Sequence, residues 1–293
     1  MLTKSRTRDH REPSFIKYIN PHAAVGTMFM APITELIKKR TSWRTYNGKT
    51  LSENDRKQLQ EFIESDHGTP FGSIPRFAII DCEAGRKLGT YGFTTGTKHF
   101  IAGTAQDTPM GVEDYGYALE KIILYATQLS LGTCWLGGTY NKQSFTDALD
   151  HTGAIPAITP IGYPKERRIA GRLIRWAARA RNRKPWSELF FKEDQSPLTN
   201  AEAGEYATVL EMVRLAPSAS NGQPWRIYLD GNRFHLHIKP RNGYGNMNRL
   251  DMGIAMSHFD LTLADQGIHG KWTNEPRKTL EELVYSSTWT RTS

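Results

Sequence analysis

Three polar residues alternate near the start of the chain in a pattern suited to holding a phosphate. Arg40, Ser42 and Arg44 lie in the stretch "IKKRTSWRTY", and in extended backbone alternate side chains project to one side. Two guanidinium groups that flank a hydroxyl can give a phosphate bidentate, charge-assisted hydrogen bonds and one neutral donor. An ordinary basic helix end is the alternative, because lysine and arginine favour the last turn of a helix.

A second set of small polar residues occurs much later in the chain. Residues 216–226 read "APSASNGQPWR", which is more than a turn needs to break regular structure. The stretch places several donors next to a large aromatic, and it predicts a surface that holds a planar, polar molecule. The basic pair Arg181 and Arg183 alternates in the same way as Arg40 and Arg44. The paired glycines Gly137 and Gly138 allow a close approach to the backbone, with a simple tight turn as the alternative.

The side chains offer little chemistry of their own. The chain has no Ser-His-Asp, Cys-His or HExxH spacing, and Cys82 and Cys134 form no CxxC or metal-ligand cluster. The nine histidines are scattered along the sequence. Polar and basic cradles without a nucleophile are typical of a protein that depends on a cofactor, and no metal site is predicted.

Composition and charge leave two further interpretations open. The 293 residues are 38% hydrophobic and carry a formal net charge of +8, as in a basic globular protein. Much of the excess lies in residues 166–184, where Arg168, Arg172, Arg175 and Arg179 recur at helical spacing. This face is either simply solvated or a surface for phosphate, membrane or nucleic acid. No membrane-spanning run or secretory signal is predicted, and the cysteine usage favours a reducing, cytoplasmic compartment.

The sequence repeats parts of itself. Asp114, Gly116, Ala118, Leu124 and Trp135 have counterparts at identical spacing in Asp251, Gly253, Ala255, Leu261 and Trp272. "IPRFAIID" is echoed by "QPWRIYLD", and "RKPWSELFF" by "RKTLEELVY". Each half predicts a helix, a strand and a longer helix, at 51–63, 77–81 and 114–131 and again at 201–215, 226–229 and 252–264. Acidic residues such as Glu113 and Asp114 suit the starts of the long helices. The second half lacks counterparts of "TCWLGG" and "ITPIGYP".

Taken together and in order, these motifs resemble the FMN-dependent nitroreductase family, in a branch that fuses two nitroreductase-like halves. The resemblance covers about Ile33 to Tyr285. It implies an α+β fold of two tandem pseudo-symmetric halves, each with a mainly antiparallel sheet and flanking helices. Residues 1–30 are then an N-terminal extension, 31–195 the first half, and 196–293 a second, shortened half.

The resemblance also assigns roles to residues. Arg40, Ser42, Arg44, Arg181 and Arg183 would hold the FMN phosphate, and the backbone of Gly137 and Gly138 would approach the flavin ring. Asn221, Gln223 and Trp225, supported by Pro217, Ser218 and Ser220, would lie by the ribityl chain and the ring. Thr41 occupies a position that is often Arg or His in relatives, so one phosphate contact is absent.

The two halves lack different parts of this site. The first half has the phosphate-binding run of Arg40, Ser42 and Arg44 but reads "GTPFGSIPRF" where an Asn-Gln-Pro-Trp loop belongs. The second half has the loop but lacks both the phosphate-binding run and the Gly-Gly turn. We therefore expect one composite FMN site per chain in a monomer with an internal pseudo-dimer. Hydride would pass from NAD(P)H through FMN to a nitroaromatic, quinone or similar acceptor. His99, Phe100, Tyr115 and Tyr117 are candidates either for the acceptor pocket or for the core. The alternatives are a low-turnover flavin-binding sensor or storage protein, and a nucleic-acid or membrane-surface protein.

Overall fold

The structure is a computed structural model, and it describes residues 29–82, 89–149, 153–165, 182–275, 280 and 282–292. This part of the chain contains two β-sheets and a set of packed helices, so the α+β class expected from the sequence is confirmed. Its α-helices are α1 (Ile33–Lys39), α2 (Glu53–Glu64), α3 (Pro109–Gln128), α4 (Lys142–Thr146), α5 (Ala207–Leu215) and α6 (Met247–Asp265). None of these helices is both long and apolar enough to cross a lipid bilayer.

Local capping signals fix where the first helices begin. The Ser52 hydroxyl accepts a hydrogen bond from the N–H of Asp55 at 3.0 Å and so caps α2. The Thr108 hydroxyl accepts from the N–H of Gly111 at 3.0 Å, and proline follows at the first position of α3. This Thr-Pro signal starts α3 five residues before the expected Asp114. Glu113 and Asp114 are therefore buried inside the helix, and their interpretation as helix-start residues is wrong.

The first sheet has four antiparallel strands in the order β1-β2-β4-β3. They are β1 (Arg76–Asp81), β2 (His99–Thr104), β3 (Gly132–Thr133) and β4 (Ile158–Gly162). Strands β2 and β4 are buried along their whole length, because both faces of the sheet are covered. Helices α2 and α3 pack on one face, and the segment that contains α4 packs on the other.

The second sheet has five strands in the order β5-β6-β7-β9-β8. They are β5 (Phe190–Lys192), β6 (Trp225–Asp230), β7 (Arg233–Ile238), β8 (Gly270–Thr273) and β9 (Val284–Arg291). All neighbouring pairs are antiparallel except β5 and β6, which are parallel. Apolar residues of α5 and α6 cover this sheet and form the largest core of the molecule.

The two sheets share one strand order once β5 is set aside. The series β6-β7-β9-β8 follows the same order as β1-β2-β4-β3, so β9 takes the position of β4 and β8 that of β3. The missing counterpart of "ITPIGYP" is thus a strand of unrelated sequence. The echo between "RKPWSELFF" and "RKTLEELVY" is wrong in structural terms, because the first leads into the parallel edge strand β5 and the second into the internal strand β9.

Helices α3 and α6 cross each other at a pair of glycines. A methyl group on Gly253 would lie 1.9 Å from the carbonyl oxygen of Glu113, and one on Gly116 would lie 2.4 Å from that of Leu250. Each glycine therefore meets the residue three positions before the other glycine. Such reciprocal contact is the pattern found where two like units pack about a two-fold axis. It also explains why Gly116 and Gly253 stand at corresponding positions in the repeat.

Candidate functional site

The Arg40–Arg44 segment runs directly after α1 and lies beside the first sheet. Arg40 caps the helix, since its N–H donates to the carbonyl oxygen of Leu36 at 2.8 Å. The N–H of Trp43 donates to the carbonyl oxygen of Thr133 at 2.8 Å, and Ser42 pairs with Thr133 in a β-bridge. All five residues of the segment, Thr41 included, are half-buried. The segment is thus a basic helix end that continues as extended backbone, which combines both interpretations of the sequence.

The paired glycines follow shortly after β3 and have different surroundings. A methyl group on Gly137 would lie 2.4 Å from the sulfur of Met247, the first residue of α6. A methyl group on Gly138 would have nothing within 4 Å, and this residue is exposed. Gly137 therefore allows contact with the second half, whereas Gly138 leaves its backbone open to another molecule.

The loop of residues 218–223 has an unusual backbone. Ser220, Asn221 and Gln223 have φ values of 50°, 55° and 45°, in the left-handed region that residues other than glycine seldom occupy. The buried carboxylate of Asp251 holds the loop by accepting from the N–H of Ala219 at 2.9 and 3.1 Å. The Ser218 hydroxyl accepts from the N–H of Gln223 at 2.9 Å. Strained backbone of this kind concentrates at functional sites.

Side chains of this loop bind the basic segment that precedes β5. The Asn221 amide accepts from the Arg183 guanidinium and donates to the carbonyl oxygen of Asn182 at 2.7 Å. The Gln223 side chain accepts from the N–H of Lys184 at 3.0 Å. Two regions expected to contact one cofactor are therefore joined by direct hydrogen bonds. Arg181 and the basic stretch 166–181 lie outside the described residues.

Positive charge is concentrated where these elements meet. Burial, together with the nearby charges of Arg40 and Arg214, lowers the pKa of the Arg183 guanidinium from 12.5 to about 10. Arg214 is paired with Glu211 at 2.7 Å, whereas the Nε of Arg40 stands 3.7 Å from the nearest carboxylate oxygen, on Glu120. Two guanidinium groups that repel each other in a half-buried place form a site for an anion.

A segment that the sequence did not single out closes the site. Arg241 donates to the carbonyl oxygen of Ala219 at 2.6 Å, and its guanidinium lies 3.7 Å from the centre of the Tyr244 ring. The Tyr244 hydroxyl donates to the Ser220 hydroxyl at 3.0 Å. Three residues further on, Met247 meets Gly137. Gly137, the 241–247 segment, the loop of residues 218–223 and Arg183 are thus linked in series by direct contacts. The only sequence signal for the 241–247 segment was the glycine-rich run "RNGYGN".

The residues considered for an acceptor pocket belong to the core. His99, Phe100, Tyr115 and Tyr117 are each at most 3% exposed. His99 lies between the Asp81 carboxylate at 2.6 Å and the N–H of Leu51 at 3.1 Å, and the Tyr115 hydroxyl donates to the carbonyl oxygen of Ala157 at 2.6 Å. The core interpretation is right for all four, and the pocket interpretation is wrong.

The described part of the chain contains no group of three or more His, Cys, Asp or Glu residues placed to hold a metal ion. A surface cavity of about 440 Å³ lies at the far end of β6, and it contains none of the candidate residues. It is lined by Lys192, Glu193, Asp194, Leu198, Glu202, Leu229, Asp230 and Gly231.

Comparison with solved structures defines the class of fold. A putative nitroreductase from Thermotoga maritima msb8 superposes with a TM-score of 0.61 at 21% identity, covering 90% of this chain and 94% of that chain. The chain therefore has a nitroreductase-like α+β fold. The family model described as "Putative TM nitroreductase" matches residues 32–263, and the chain belongs to this nitroreductase family. The resemblance of the sequence to the nitroreductase family is confirmed.

Other solved nitroreductases match about half of the chain. One from Desulfovibrio desulfuricans in complex with FMN is 22% identical, with a TM-score of 0.37, and covers 50% of this chain and 96% of that chain. A nitroreductase with bound FMN from Bacteroides fragilis is 17% identical, with a TM-score of 0.38, and covers 48% and 96%. No curated protein matches the chain.

Proposed function

We propose that the chain is an FMN-dependent oxidoreductase with one composite cofactor site. The observation that carries the proposal is the series of contacts that joins Gly137, the 241–247 segment, the loop with Asn221, and Arg183, with the charge of Arg40 close enough to lower the pKa of Arg183. FMN is the flavin named for similar nitroreductases. Its phosphate, ribityl chain and isoalloxazine need an anion site, polar groups and an accessible backbone, and these residues supply each of them.

The residues of the site fit FMN on three counts. Two neighbouring guanidinium groups, on Arg40 and Arg183, suit a phosphate that carries nearly two negative charges. The backbone of Gly138 is open to a planar group. The left-handed loop of residues 218–223 presents polar groups next to the basic segment. Arg181 is proposed as a further phosphate ligand by resemblance alone.

Each part of the site then has a defined task. Arg40, Ser42, Arg44 and Arg183 bind the phosphate, with Thr41 in the same run, and backbone N–H groups of Gly137 and Gly138 orient the flavin ring. Asn221 and Gln223 line the site with Ser218 and Ser220 and also hold Arg183 and Lys184 in place. FMN, when bound, takes hydride from NAD(P)H and passes electrons to an electron-poor acceptor such as a quinone or nitroaromatic.

The architecture supports a single site in a monomer with an internal pseudo-dimer. The shared strand order and the reciprocal contact of Gly116 and Gly253 support two fused halves, with 1–30 as an extension, 31–195 as the first half and 196–293 as the second. Strand β5 is the exception, because it belongs to the first half in sequence and to the second sheet in space. An internal pseudo-dimer provides the interface that a partner chain would otherwise supply. We place this enzyme in the cytoplasm.

The first experiment is the visible absorption spectrum of the purified protein, with the released chromophore identified and counted per chain. About one FMN per chain is expected. A ratio near two contradicts the composite site, and a protein that stays colourless with added FMN contradicts flavin binding. Arg40→Gln should weaken FMN binding by about tenfold or more, whereas Arg233→Gln, on the exposed start of β7, serves as the control. Steady-state oxidation of NAD(P)H with a quinone then separates an enzyme from a flavin store or sensor.

A further inference from the structure

A fully buried carboxylate connects the proposed phosphate ligand with both halves of the molecule. Glu120 of α3 and His258 of α6 are each 0% exposed, and the His258 Nε2 lies 2.9 Å from one Glu120 oxygen. The Nε of Arg40 stands 3.7 Å from that same oxygen. The other oxygen accepts from the Trp135 indole N–H at 2.6 Å, two residues before Gly137. One carboxylate therefore touches the phosphate segment, the approach to the Gly-Gly turn and the second half.

The hydrogen bonds of His258 fix how many protons the pair holds. Its Nδ1 lies 2.8 Å from the carbonyl oxygen of Met212, and a carbonyl oxygen can only accept, so Nδ1 carries a proton. Its Nε2 faces a carboxylate oxygen, and this contact is a hydrogen bond only if one more proton lies between the two atoms. Whether that proton is on His258 or on Glu120, the pair as a whole has no net charge.

A neutral pair explains the position of Arg40. Arginine and an ionised carboxylate normally form hydrogen bonds of about 2.7–2.9 Å. The Nε of Arg40 instead stays at 3.7 Å, and among the described residues it has no hydrogen-bond partner although it is buried. A carboxylate already neutralised by the His258 proton attracts the guanidinium only weakly.

We infer that the Glu120–His258 pair is a positioning element that keeps the charge of Arg40 available for the cofactor phosphate. This inference rests on the proposed FMN site. With its proton, the pair provides a buried polar surface against which Arg40 rests without being neutralised. Without that proton, Glu120 becomes a full negative charge beside Arg40 and competes with the phosphate for the same guanidinium.

The test compares the binding of FMN and riboflavin to the apoprotein, followed by quenching of flavin fluorescence. Riboflavin lacks the phosphate, so the ratio of the FMN affinity to the riboflavin affinity reports on phosphate binding alone. His258→Gln keeps a donor for the Glu120 oxygen but removes the titratable nitrogen. It should lower FMN affinity about tenfold and leave riboflavin affinity unchanged. The double variant Glu120→Gln/His258→Gln has no buried charge beside Arg40 and should restore the ratio of the wild type.

Two further variants keep the inference testable if His258→Gln does not fold. Glu120→Gln alone can keep every hydrogen bond with a neutral His258, so the affinity ratio should stay within about twofold of the wild type. If Glu120 were instead an ordinary counter-charge, this change would strengthen FMN binding selectively, which would overturn the inference. His67→Gln alters another buried histidine, whose pKa is lowered by burial and by the nearby charge of Lys121. This variant controls for a general loss of stability.

The outcomes separate this inference from the proposed function. Wild-type apoprotein that takes up neither flavin contradicts the FMN site itself. If the wild type binds FMN and a folded His258→Gln variant keeps the wild-type ratio of FMN to riboflavin affinity, only the role of the Glu120–His258 pair is contradicted. Equal losses of FMN and riboflavin affinity assign His258 a merely structural role and also overturn the inference.

Discussion

Two loops occupy corresponding places in the two halves, and the same kind of residue anchors each of them. Asp114 accepts from the N–H of Phe71 at 3.0 Å and from the N–H and hydroxyl of Ser73 at 2.9 and 2.7 Å. Asp251 accepts from the N–H of Ala219. Each aspartate thus holds the loop that leads into the first long strand of its sheet.

Beyond that anchor the loops differ. The first makes its turn with Gly72 at a φ of 77°, packs Phe71 against the core of the second sheet and leaves Ile74 83% exposed. The second places serine, asparagine and glutamine in the left-handed region and directs its amides to the basic segment. One loop is a structural connection, and the other carries strain in order to present polar groups.

The largest expected effect comes from breaking the helix crossing on which both loops depend. Gly253→Ala brings a methyl group to 1.9 Å from the Glu113 carbonyl oxygen, and neither backbone can move aside without separating α3 from α6. We expect a loss of more than about 3 kcal/mol in the free energy of unfolding, or no folded protein. Urea unfolding of the variant and the wild type measures this change in the free energy of unfolding. Gly89→Ala is the control, because its nearest neighbour lies at an ordinary 3.6 Å.

Removing the two anchors separates their roles. Asp114→Ala and Asp251→Ala each leave at least one half-buried N–H without an acceptor, at a cost of about 1–2 kcal/mol in the free energy of unfolding. Only Asp251→Ala should also weaken FMN binding, by about tenfold, because only its loop contributes to the site. Urea unfolding and FMN titration of the apoproteins give the two numbers. Equal losses of FMN affinity would mean that the loops are equivalent.

The anchors also predict how stability depends on pH. Burial raises the pKa of the Asp251 carboxyl from 3.8 to about 8, against the opposing effects of the Ala219 N–H and Arg241, and burial raises the pKa of Asp114 as well. A raised folded-state pKa contributes stability that is present below about pH 4 and is lost as the pH rises through about 8. Wild type should therefore lose about 1 kcal/mol or more relative to Asp251→Asn between about pH 5 and pH 8.

Urea unfolding of both proteins at the two pH values measures this difference. Asp114→Asn should show a difference of the same sign. A wild type that gains stability relative to Asp251→Asn over this range would show that Asp251 is held as a carboxylate by its hydrogen bonds.

The smallest effect is expected at the exposed end of the first loop. Ile74→Gln makes this position more like Gln223, yet the side chain is mostly in solvent, so the free energy of unfolding should change by less than about 0.5 kcal/mol. FMN affinity and the number of flavins per chain should not change. A flavin ratio that rises above one would show that the first loop retains a binding function.

The sequence predicted the parts that depend on short-range patterns. The Arg-x-Ser-x-Arg run, the Gly-Gly turn and the "SASNGQPW" loop were all recognisable as motifs, and their joint role in binding FMN stays a prediction. The roles of Asp114 and Asp251 could not be read, since each depends on a loop more than 30 residues away. Helix starts were misplaced because acidic residues were weighted above the Thr108–Pro109 cap.

The features that the sequence did not predict depend on pairing between residues that are far apart in the chain. Strand β9 completes the second sheet without a recognisable sequence likeness to β4, because a strand position is defined by its neighbours. Nothing in the sequence singles out Glu120 and His258. Their partnership requires the crossing of α3 and α6, which no single segment encodes.

Strand β5 has a consequence for the order of events during synthesis. Its Phe190 is fully buried in the finished molecule, yet its partner strand in the sheet, β6, begins 33 residues after β5 ends. When the first sheet is already complete on the ribosome, β5 has only the turn that follows it, through the bridge of Phe191 to Pro197, and its apolar side chain is still in water. We expect the nascent chain to depend on chaperone cover over this interval, and β6 to end that dependence as it emerges.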